Sequence, residues 1–218
     1  MRTAVTGRNC GADPEGVCRN PFAARYVASM RLASRDANGH RRDLRPLAAL
    51  LARGGRGGAI VGPHGSGKST LLGQLADHIE ASSSKVLRLR LRAHGDAAAI
   101  VMSIARAPRG SVVCVDGWER LGWMVAIALV AARLRRATLV VTSHRRGYLP
   151  TLVECRTSIA LLEAIVADLP GHHLWFGQGI AQGDLAASFL AAGGDVRVAL
   201  FMLYDVFERR VRGTGARR

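Results

Sequence analysis

The chain has 218 residues and a formal net charge of +15, from 31 lysines and arginines against 16 aspartates and glutamates. Apolar residues make up 49% and charged residues 22%, a globular composition that excludes disorder, over a length typical of one domain with or without a small appendage. The positive charge favours polyanionic partners, and the four scattered cysteines, which form no C-x-x-C pair, exclude a zinc finger or a disulfide framework.

Short apolar segments alternate with helical patterns along the chain, after an irregular basic stretch that ends near residue 43. The pattern predicts helices at 44–53, 68–81, 97–106, 119–136, 159–168, 185–192 and 196–210, and strands at 59–61, 85–92, 112–115, 138–142 and 151–157. Short buried strands that alternate with helices are typical of a mostly parallel sheet covered on both faces. No strand is predicted after Pro170, so the chain is expected to end in helices.

The longest apolar run, at 121–134, has about 14 residues, fewer than the roughly 20 that cross a bilayer. Since the first twenty residues also contain no continuous apolar stretch, we expect a soluble, cytoplasmic protein that contacts no membrane. The run at 123–130 is apolar on all sides. This pattern predicts a buried helix, or a partner surface if part of the helix is exposed.

A glycine-rich segment directly after the first predicted strand matches a phosphate-binding loop. Residues 62–69 fit G-x-x-x-x-G-K-[ST] at every fixed position, and a helix opens inside the segment. Its glycines let backbone N–H groups curl around a phosphate, and the helix N-terminus adds its dipole. We expect Lys68 to reach the β- and γ-phosphates and Ser69 to hold Mg²⁺. The predicted nucleotide-binding residues of this loop are Gly62, Pro63, His64, Gly65, Ser66, Gly67, Lys68, Ser69 and Thr70.

The third predicted strand ends in an acid, Asp116, 48 residues after Lys68. A carboxylate at the carboxyl end of this strand lies beside the phosphate loop and can support the Mg²⁺ shell. Many hydrolytic P-loop proteins place a glutamate directly after this aspartate to polarise the attacking water, whereas this chain has Gly117. The nearest acid is Glu119, which either orients the water or only favours the first turn of the next helix.

These motifs resemble those of the P-loop NTPases, and the later part of the chain resembles the AAA+ ATPases, especially their clamp-loader and origin-recognition branch. The strand at 138–142 runs into Thr142 and Ser143, either of which is placed like the family's sensor 1 residue. Arg156 follows where the family often has its arginine finger, with a surface salt bridge as the alternative. Residues 194–200, G-D-V-R-V-A-L, are similar to the family's sensor 2 helix, whose arginine, here Arg197, reaches back to the nucleotide.

The resemblance implies a three-layer α/β P-loop NTPase fold with a small C-terminal helical lid. The corresponding segments are an irregular basic segment at 1–43, a nucleotide-binding domain at 44–169, a lid at 170–210 and a basic tail at 211–218. The implied activity is ATP binding and hydrolysis with Mg²⁺, coupled to movement of the lid. Its catalytic residues would be Lys68, Asp116, Glu119 and Ser143.

Three other functions stay open on the sequence alone. Gly117 in the place of the glutamate favours a switch that binds ATP without hydrolysing it. A small-molecule phosphotransferase would use the same loop toward an acceptor that the sequence does not identify. A polyanion-binding module is suggested by Arg88, Arg90 and Arg92, which share one face of a predicted strand, and by the basic tail. The partners expected besides ATP are nucleic acid bound through its backbone, further copies of the chain, and a protein client.

Overall fold

The structure is a computed structural model that describes residues 20–23, 33–54, 57–147, 149–177 and 179–215. The chain divides into two compact units. The sheet unit comprises residues 33–36 and 41–156, and the helical unit comprises residues 37–40, those from 157 onward and the described part of the first 32. Within these described ranges, no helix is long and apolar enough to span a bilayer. The four segment boundaries expected from the sequence stay a prediction.

The sheet unit alternates between helices and strands. Its helices are α1 (Arg45–Gly54), α2 (Lys68–Ala81), α3 (Ala97–Arg106) and α4 (Val125–Leu134), and its strands are β1 (Gly58–Val61), β2 (Val86–Arg90), β3 (Val112–Asp116), β4 (Thr138–Ser143) and β5 (Thr151–Glu154). Two 3₁₀ segments, His94–Asp96 and Trp118–Met124, precede α3 and α4. Each strand predicted from the sequence is present, with ends that shift by at most three residues.

The five strands form one parallel sheet in the order β2-β3-β4-β1-β5. Strand β1 lies between β4 and β5, and its Ile60 pairs with Thr142 of β4 on one side and with Val153 of β5 on the other. Because the carboxyl ends of parallel strands share one edge of a sheet, the ends of β1, β3 and β4 lie side by side. That edge holds the phosphate loop and Asp116.

Successive side chains of the central strands enter two separate cores, since a strand alternates its side chains between the faces of a sheet. Ala59 and Leu139 belong to the core under α3 and α4, whereas Ile60 and Val140 belong to the core under α1 and α2. The resulting helix–sheet–helix layers confirm the predicted α/β fold. Cys114 is buried in the second core, and its burial raises the pKa of the thiol to about 12, as expected for a small hydrophobe.

The helix predicted at 119–136 is interrupted at Gly122. The backbone there has φ 55° and ψ −128°, so the chain forms a 3₁₀ segment first and α4 begins only at Val125. Glycine reaches this conformation without the clash that a side chain would cause. The prediction of one continuous helix was therefore wrong, because Gly122 breaks the helix without breaking the apolar run.

The solvent side of α4 and of the turn before it is apolar, which contradicts the predicted burial of the run at 123–130. Only the side that carries Ala128 packs against the sheet. Four exposed apolar residues, from this run and the end of α4, are spaced three or four positions apart and so share one side of the helix. They are Trp123, Ile127, Val130 and Leu134, with exposed fractions of 79%, 44%, 55% and 70%. This stripe has the character of a partner surface, the alternative that the sequence left open.

The helical unit contains α5 (Ile159–Ala167), α6 (His172–Trp175), α7 (Gln182–Ala191) and α8 (Val196–Gly215). The sequence pattern predicted all of these except α6, which has a single turn. Ser158 caps α5 by accepting a hydrogen bond from the Leu161 N–H at 3.0 Å. Asp195 caps α8 by accepting from the N–H groups of Arg197 and Val198, at 2.8 and 3.2 Å.

A short N-terminal segment completes the core of the helical unit. Phe22 is 2% exposed, and its ring centroid lies 5.2 Å from that of Trp175 and 6.3 Å from that of Phe207. The side chain of Asn20 fixes the segment, because its amide donates to the Tyr204 carbonyl at 3.0 Å while its oxygen accepts from the Phe22 N–H at 3.0 Å.

Helix α8 continues to Gly215, five residues beyond its predicted end at 210. Arg210 donates two hydrogen bonds to the Asp184 carboxylate, at 2.6 and 2.8 Å, and ties this part of α8 to α7. The same guanidinium lowers the pKa of Asp184. The predicted basic tail therefore begins inside a helix, and residues 216–218 lie outside the described chain.

Alanine substitutions at two glycines are expected to change stability in opposite directions. Gly122→Ala forces a side chain into the left-handed region and should lower the free energy of unfolding by about 1–3 kcal/mol. Gly73→Ala lies inside α2, where an added Cβ meets nothing within 4 Å, and should raise the free energy of unfolding by about 0.5–1 kcal/mol. Urea unfolding of both variants checks the pair. A shift of the same sign in both would contradict the backbone assigned to Gly122.

Candidate nucleotide-binding site

The phosphate loop connects the end of β1 to the start of α2. Strand β1 ends at Val61, and α2 begins at Lys68, directly after Gly67, whose φ of 79° and ψ of 13° place it in the left-handed conformation. The first N–H groups of α2 therefore open toward the loop, where they can bind an anion. Inside the loop, the buried Ser66 hydroxyl donates to the Pro63 carbonyl at 2.8 Å. His64, Ser69 and Thr70 are exposed.

Lys68 is the buried cation of this site, with only 8% of the residue exposed. Its Nζ donates to the carbonyl oxygens of Gly62 and Pro63, at 2.8 and 2.6 Å. The amine is therefore already placed in the loop and partly desolvated. To bind a phosphate, it has to exchange carbonyl oxygens for phosphate oxygens.

Asp116 connects three elements at the shared edge of the sheet. Its Oδ1 accepts hydrogen bonds from the Ser69 hydroxyl at 2.9 Å and from the Thr142 hydroxyl at 2.7 Å. A hydroxyl and a carboxylate are oxygen donors of the kind that Mg²⁺ binds, usually together with substrate phosphates. The two predicted metal-binding residues are thus brought together, and their chemistry suits the ion.

The structure distinguishes Thr142 from Ser143, which the sequence did not. Thr142 is on the same face of the sheet as Asp116, since Val140 and Cys114 are paired directly and side chains alternate along both strands. The Thr142 hydroxyl also accepts from the Gly117 N–H at 2.9 Å. Ser143 faces the opposite side, and its hydroxyl donates to the Arg145 carbonyl at 2.8 Å. The geometry therefore places Thr142, and not Ser143, beside Asp116, and the role of Ser143 stays a prediction.

The position after Asp116 is held by glycine for a structural reason. Gly117 has a φ of 88°, and an added Cβ would lie 3.1 Å from the Leu91 carbonyl oxygen. A glutamate in this position would therefore strain the backbone and press its Cβ against Leu91. The acid that does reach the site is Glu119, whose Oε1 lies 3.4 Å from His144 Nε2.

His144, which the sequence analysis did not single out, lies between Glu119 and the phosphate loop. Its Nδ1 is 3.4 Å from Lys68 Nζ and 3.2 Å from the Gly62 carbonyl oxygen, and its ring centroid is 3.8 Å from that of His64. Burial and the nearby Lys68 charge lower the pKa of His144, partly offset by Glu119. The ring is therefore held mainly in its neutral form. Its position two residues after Thr142, on the same face of β4, was the signal that could have found it.

Arg88, Arg90 and Arg92, of which only the first two lie on β2, do not form a continuous free track. Arg88 is bound to both Asp77 and Glu80 on α2, at 2.6 and 2.5 Å. Arg90, which is paired with Asp116 in the strand register, lies 3.4 Å from its Oδ2. Arg90 therefore belongs to the candidate site, a role that its alternating pattern alone did not indicate.

The arginines proposed from the family resemblance are exposed. Arg156 approaches the Glu154 carboxylate at 3.6 Å, which is the surface salt bridge that the sequence left open, and Arg146 approaches the same carboxylate at 3.5 Å. Arg197 lies in the first turn of α8 in the helical unit, with its side chain exposed. Its role toward a nucleotide stays a prediction.

The chain matches no protein-family model, and no curated protein sequence is significantly similar to it.

Solved structures of RuvB from Thermotoga maritima, a Holliday junction branch migration motor, are similar to this chain. One aligns over 77% of this chain and 67% of its own length at 20% identity, with a TM-score of 0.50. A RuvB mutant aligns over 79% and 61% at 22% identity, also with a TM-score of 0.50. AMPPCP-bound DnaA from Aquifex aeolicus aligns over 79% and 65% at 14% identity, with a TM-score of 0.48. This chain thus spans about two thirds of the RuvB length, and the likeness shows that it shares the α/β fold of RuvB.

We expect the Thr142 hydroxyl to stabilise the site. Thr142→Val keeps the volume but leaves the Gly117 N–H without its acceptor and Asp116 without one of its donors. The free energy of unfolding should fall by about 1–3 kcal/mol. Thr138→Val makes the same change at the opposite end of β4 and should stay within about 0.5 kcal/mol of the unmodified chain. Denaturant unfolding of the two variants gives the comparison, and equal losses would show that the hydrogen bonds at Thr142 contribute nothing specific.

Proposed function

We propose that this protein binds ATP with Mg²⁺ in the phosphate loop and hydrolyses it. The observation that carries the proposal is the hydrogen bond of 2.9 Å between Ser69 and Asp116, at the N-terminus of a helix that follows a glycine-rich loop. Two motifs separated by 47 residues in the chain are joined by that bond. The fold supports the proposal, because the same edge of the sheet carries both groups.

Lys68, Ser69, Asp116 and Thr142 each have a defined task in this proposal. Lys68 exchanges its carbonyl partners for the β- and γ-phosphates, and the N–H groups at the start of α2 bind the remaining phosphate oxygens. Ser69 and Asp116 would hold Mg²⁺, which when bound neutralises charge on the phosphates. Thr142 orients the Asp116 carboxylate.

Hydrolysis needs a water that attacks in line with the leaving group. The water oxygen forms a bond to the γ-phosphorus, the bond from that phosphorus to the β,γ-bridging oxygen breaks, and ADP leaves with the electron pair. We assign the water-orienting role to Glu119, whose carboxylate accepts a proton from the water and releases it to solvent. Its placement beside His144 and the loop supports this assignment over a purely local role in its 3₁₀ segment.

Two further parts of the proposal rest on the sequence. Arg197 is proposed to couple nucleotide state to the helical unit, because its motif resembles the sensor 2 helix of AAA+ ATPases. Nucleic acid is proposed as a polyanionic partner, because the chain carries a net charge of +15 and its fold is that of a branch migration motor. Self-assembly and a protein client are proposed on the same resemblance.

A switch that binds ATP without hydrolysing it is the second candidate. Gly117 favours it, since hydrolytic relatives place a glutamate at this position, where the backbone of this chain would strain any side chain. The two candidates share every residue of the loop and differ only in turnover. A turnover assay therefore separates them.

Lys68→Ala is expected to abolish phosphate release from Mg-ATP, lowering kcat by roughly 100-fold or more, because the cation that stabilises the transferred phosphate is lost. The chain offers a matched control, since Lys85, exposed just before β2, is its only other lysine. Lys85→Ala should leave turnover unchanged. Steady-state phosphate release, measured with and without duplex DNA at low salt, checks the prediction.

The outcomes of that assay separate the candidates. Turnover that requires Lys68 and not Lys85 supports an ATPase, and stimulation by DNA supports a nucleic-acid partner. Binding of ATP that requires Lys68, without turnover, would instead support the switch. Equal behaviour of the two lysine variants would overturn both candidates.

A further inference from the structure

His144 is placed by the same strand geometry that places Thr142. It is the first residue after β4, two positions beyond Thr142, and side chains two apart along an extended chain share a face. That face carries Asp116 and the phosphate loop. The imidazole, with 30% of its side chain exposed, therefore lies beside the loop and not in the core under α3 and α4.

We assign the hydrogen of the neutral ring to Nε2, because this nitrogen faces the Glu119 carboxylate, which can only accept. Lys68 Nζ can only donate, so Nδ1, at 3.4 Å, accepts from it. The Gly62 carbonyl also accepts from Nζ, at 2.8 Å, so in this tautomer the carbonyl oxygen and Nδ1, which lie 3.2 Å apart, share the Lys68 ammonium as their donor. With Nδ1 accepting, the hydrogen is on Nε2, which faces Glu119 Oε1 at 3.4 Å. The lowered pKa of His144 agrees with this neutral form.

The position of Glu119 in the chain does not by itself direct its carboxylate toward the phosphate loop, so a hydrogen-bond donor is needed to orient it. Glu119 is in the 3₁₀ segment Trp118–Met124, on the N-terminal side of the break at Gly122, and 34% of its side chain is exposed. An exposed glutamate side chain has several rotamers open to it, each of which points its carboxylate in a different direction. A donor fixed to the end of β4 restricts it to the side of the loop.

We propose that His144 is a positioning residue for ATP hydrolysis, holding the Glu119 carboxylate beside the phosphate loop through Nε2–H. This inference rests on the proposed function and gives it a mechanism for the site in which Gly117 replaces the usual glutamate. Hydrogen bonds of catalytic groups are often long before substrate is bound and tighten afterwards, so the 3.4 Å contact is a starting geometry. His144 acts through Glu119 and does not itself accept the proton of the water.

Two amide variants test which nitrogen matters. The amide nitrogen of His144→Gln can take the place of Nε2 and donate to Glu119, whereas the shorter side chain of His144→Asn reaches only the place of Nδ1. We expect His144→Gln to retain most of the wild-type kcat. His144→Asn and His144→Ala should lower kcat by roughly 100-fold, the effect of a misplaced catalytic group, with little change in KM.

A double substitution tests the route through Glu119. Glu119→Gln should lower kcat, and adding His144→Ala to it should lower kcat no further, because the residue that His144 positions is already disabled. Thermal unfolding of each variant and its affinity for a non-hydrolysable ATP analogue should match those of the wild type. Those two measurements identify a variant that misfolds. If His144→Ala misfolds, the comparison of kcat between His144→Gln and His144→Asn tests the role of His144.

The wild type and the His144 variants are assayed as full chains alongside Lys68→Ala. Failure of the ATPase proposal and failure of the His144 proposal then give different results. Turnover that requires Lys68 but is equal in the Gln, Asn and Ala variants overturns the role of His144 and leaves the ATPase intact. Full activity in His144→Asn with loss in His144→Gln would show that His144 acts through the contact of Nδ1 with Lys68. That result would also overturn the proposal. Absence of wild-type turnover overturns both the ATPase and the role of His144.

Discussion

The hydrogen bonds to Asp116 Oδ1 hold the candidate site together. Ser69 brings the start of α2 to this oxygen, and Thr142 brings the end of β4, so one carboxylate on β3 connects three elements. The connection is possible only because all five strands are parallel and present their carboxyl ends at one edge. Thr142 contributes a second time, since its hydroxyl also accepts from the Gly117 N–H and so fixes the turn that leads to Glu119. Loss of this arrangement would separate the loop from the groups proposed to act on the nucleotide.

The fold and the phosphate loop could be predicted from the sequence because each depends on residues that are close together in the chain. The strands of the sheet unit are short apolar runs, and residues 62–69 fit a motif whose spacing is fixed by the geometry of a phosphate. Asp116 could be predicted for the same reason, as the acid at the end of a buried strand. The break at Gly122 and the exposed side of α4 could not, because local hydrophobicity does not say which side of a helix another element covers.

The finer geometry of the site depends on register, which the sequence only partly specifies. Choosing Thr142 over Ser143 required knowing that Val140 pairs with Cys114, since that pairing sets the face on which each later residue lies. The same reasoning finds His144, whose spacing from Thr142 is visible in the sequence but whose partners are not. Glu119 was named from the sequence without its neighbour, because residues 119 and 144 meet only through the adjacency of β3 and β4.

The three tryptophans of the chain lie in three different environments. Trp118, 5% exposed, is buried in the sheet unit next to Glu119, Trp175, 3% exposed, is buried in the core of the helical unit, and Trp123 is 79% exposed. Each compact unit thus contains one buried indole with its own surroundings, while the third indole is already in water. Intrinsic fluorescence of single-tryptophan variants would follow each unit separately. The cooperativity of unfolding between the two units can therefore be measured without attaching a dye to either of them.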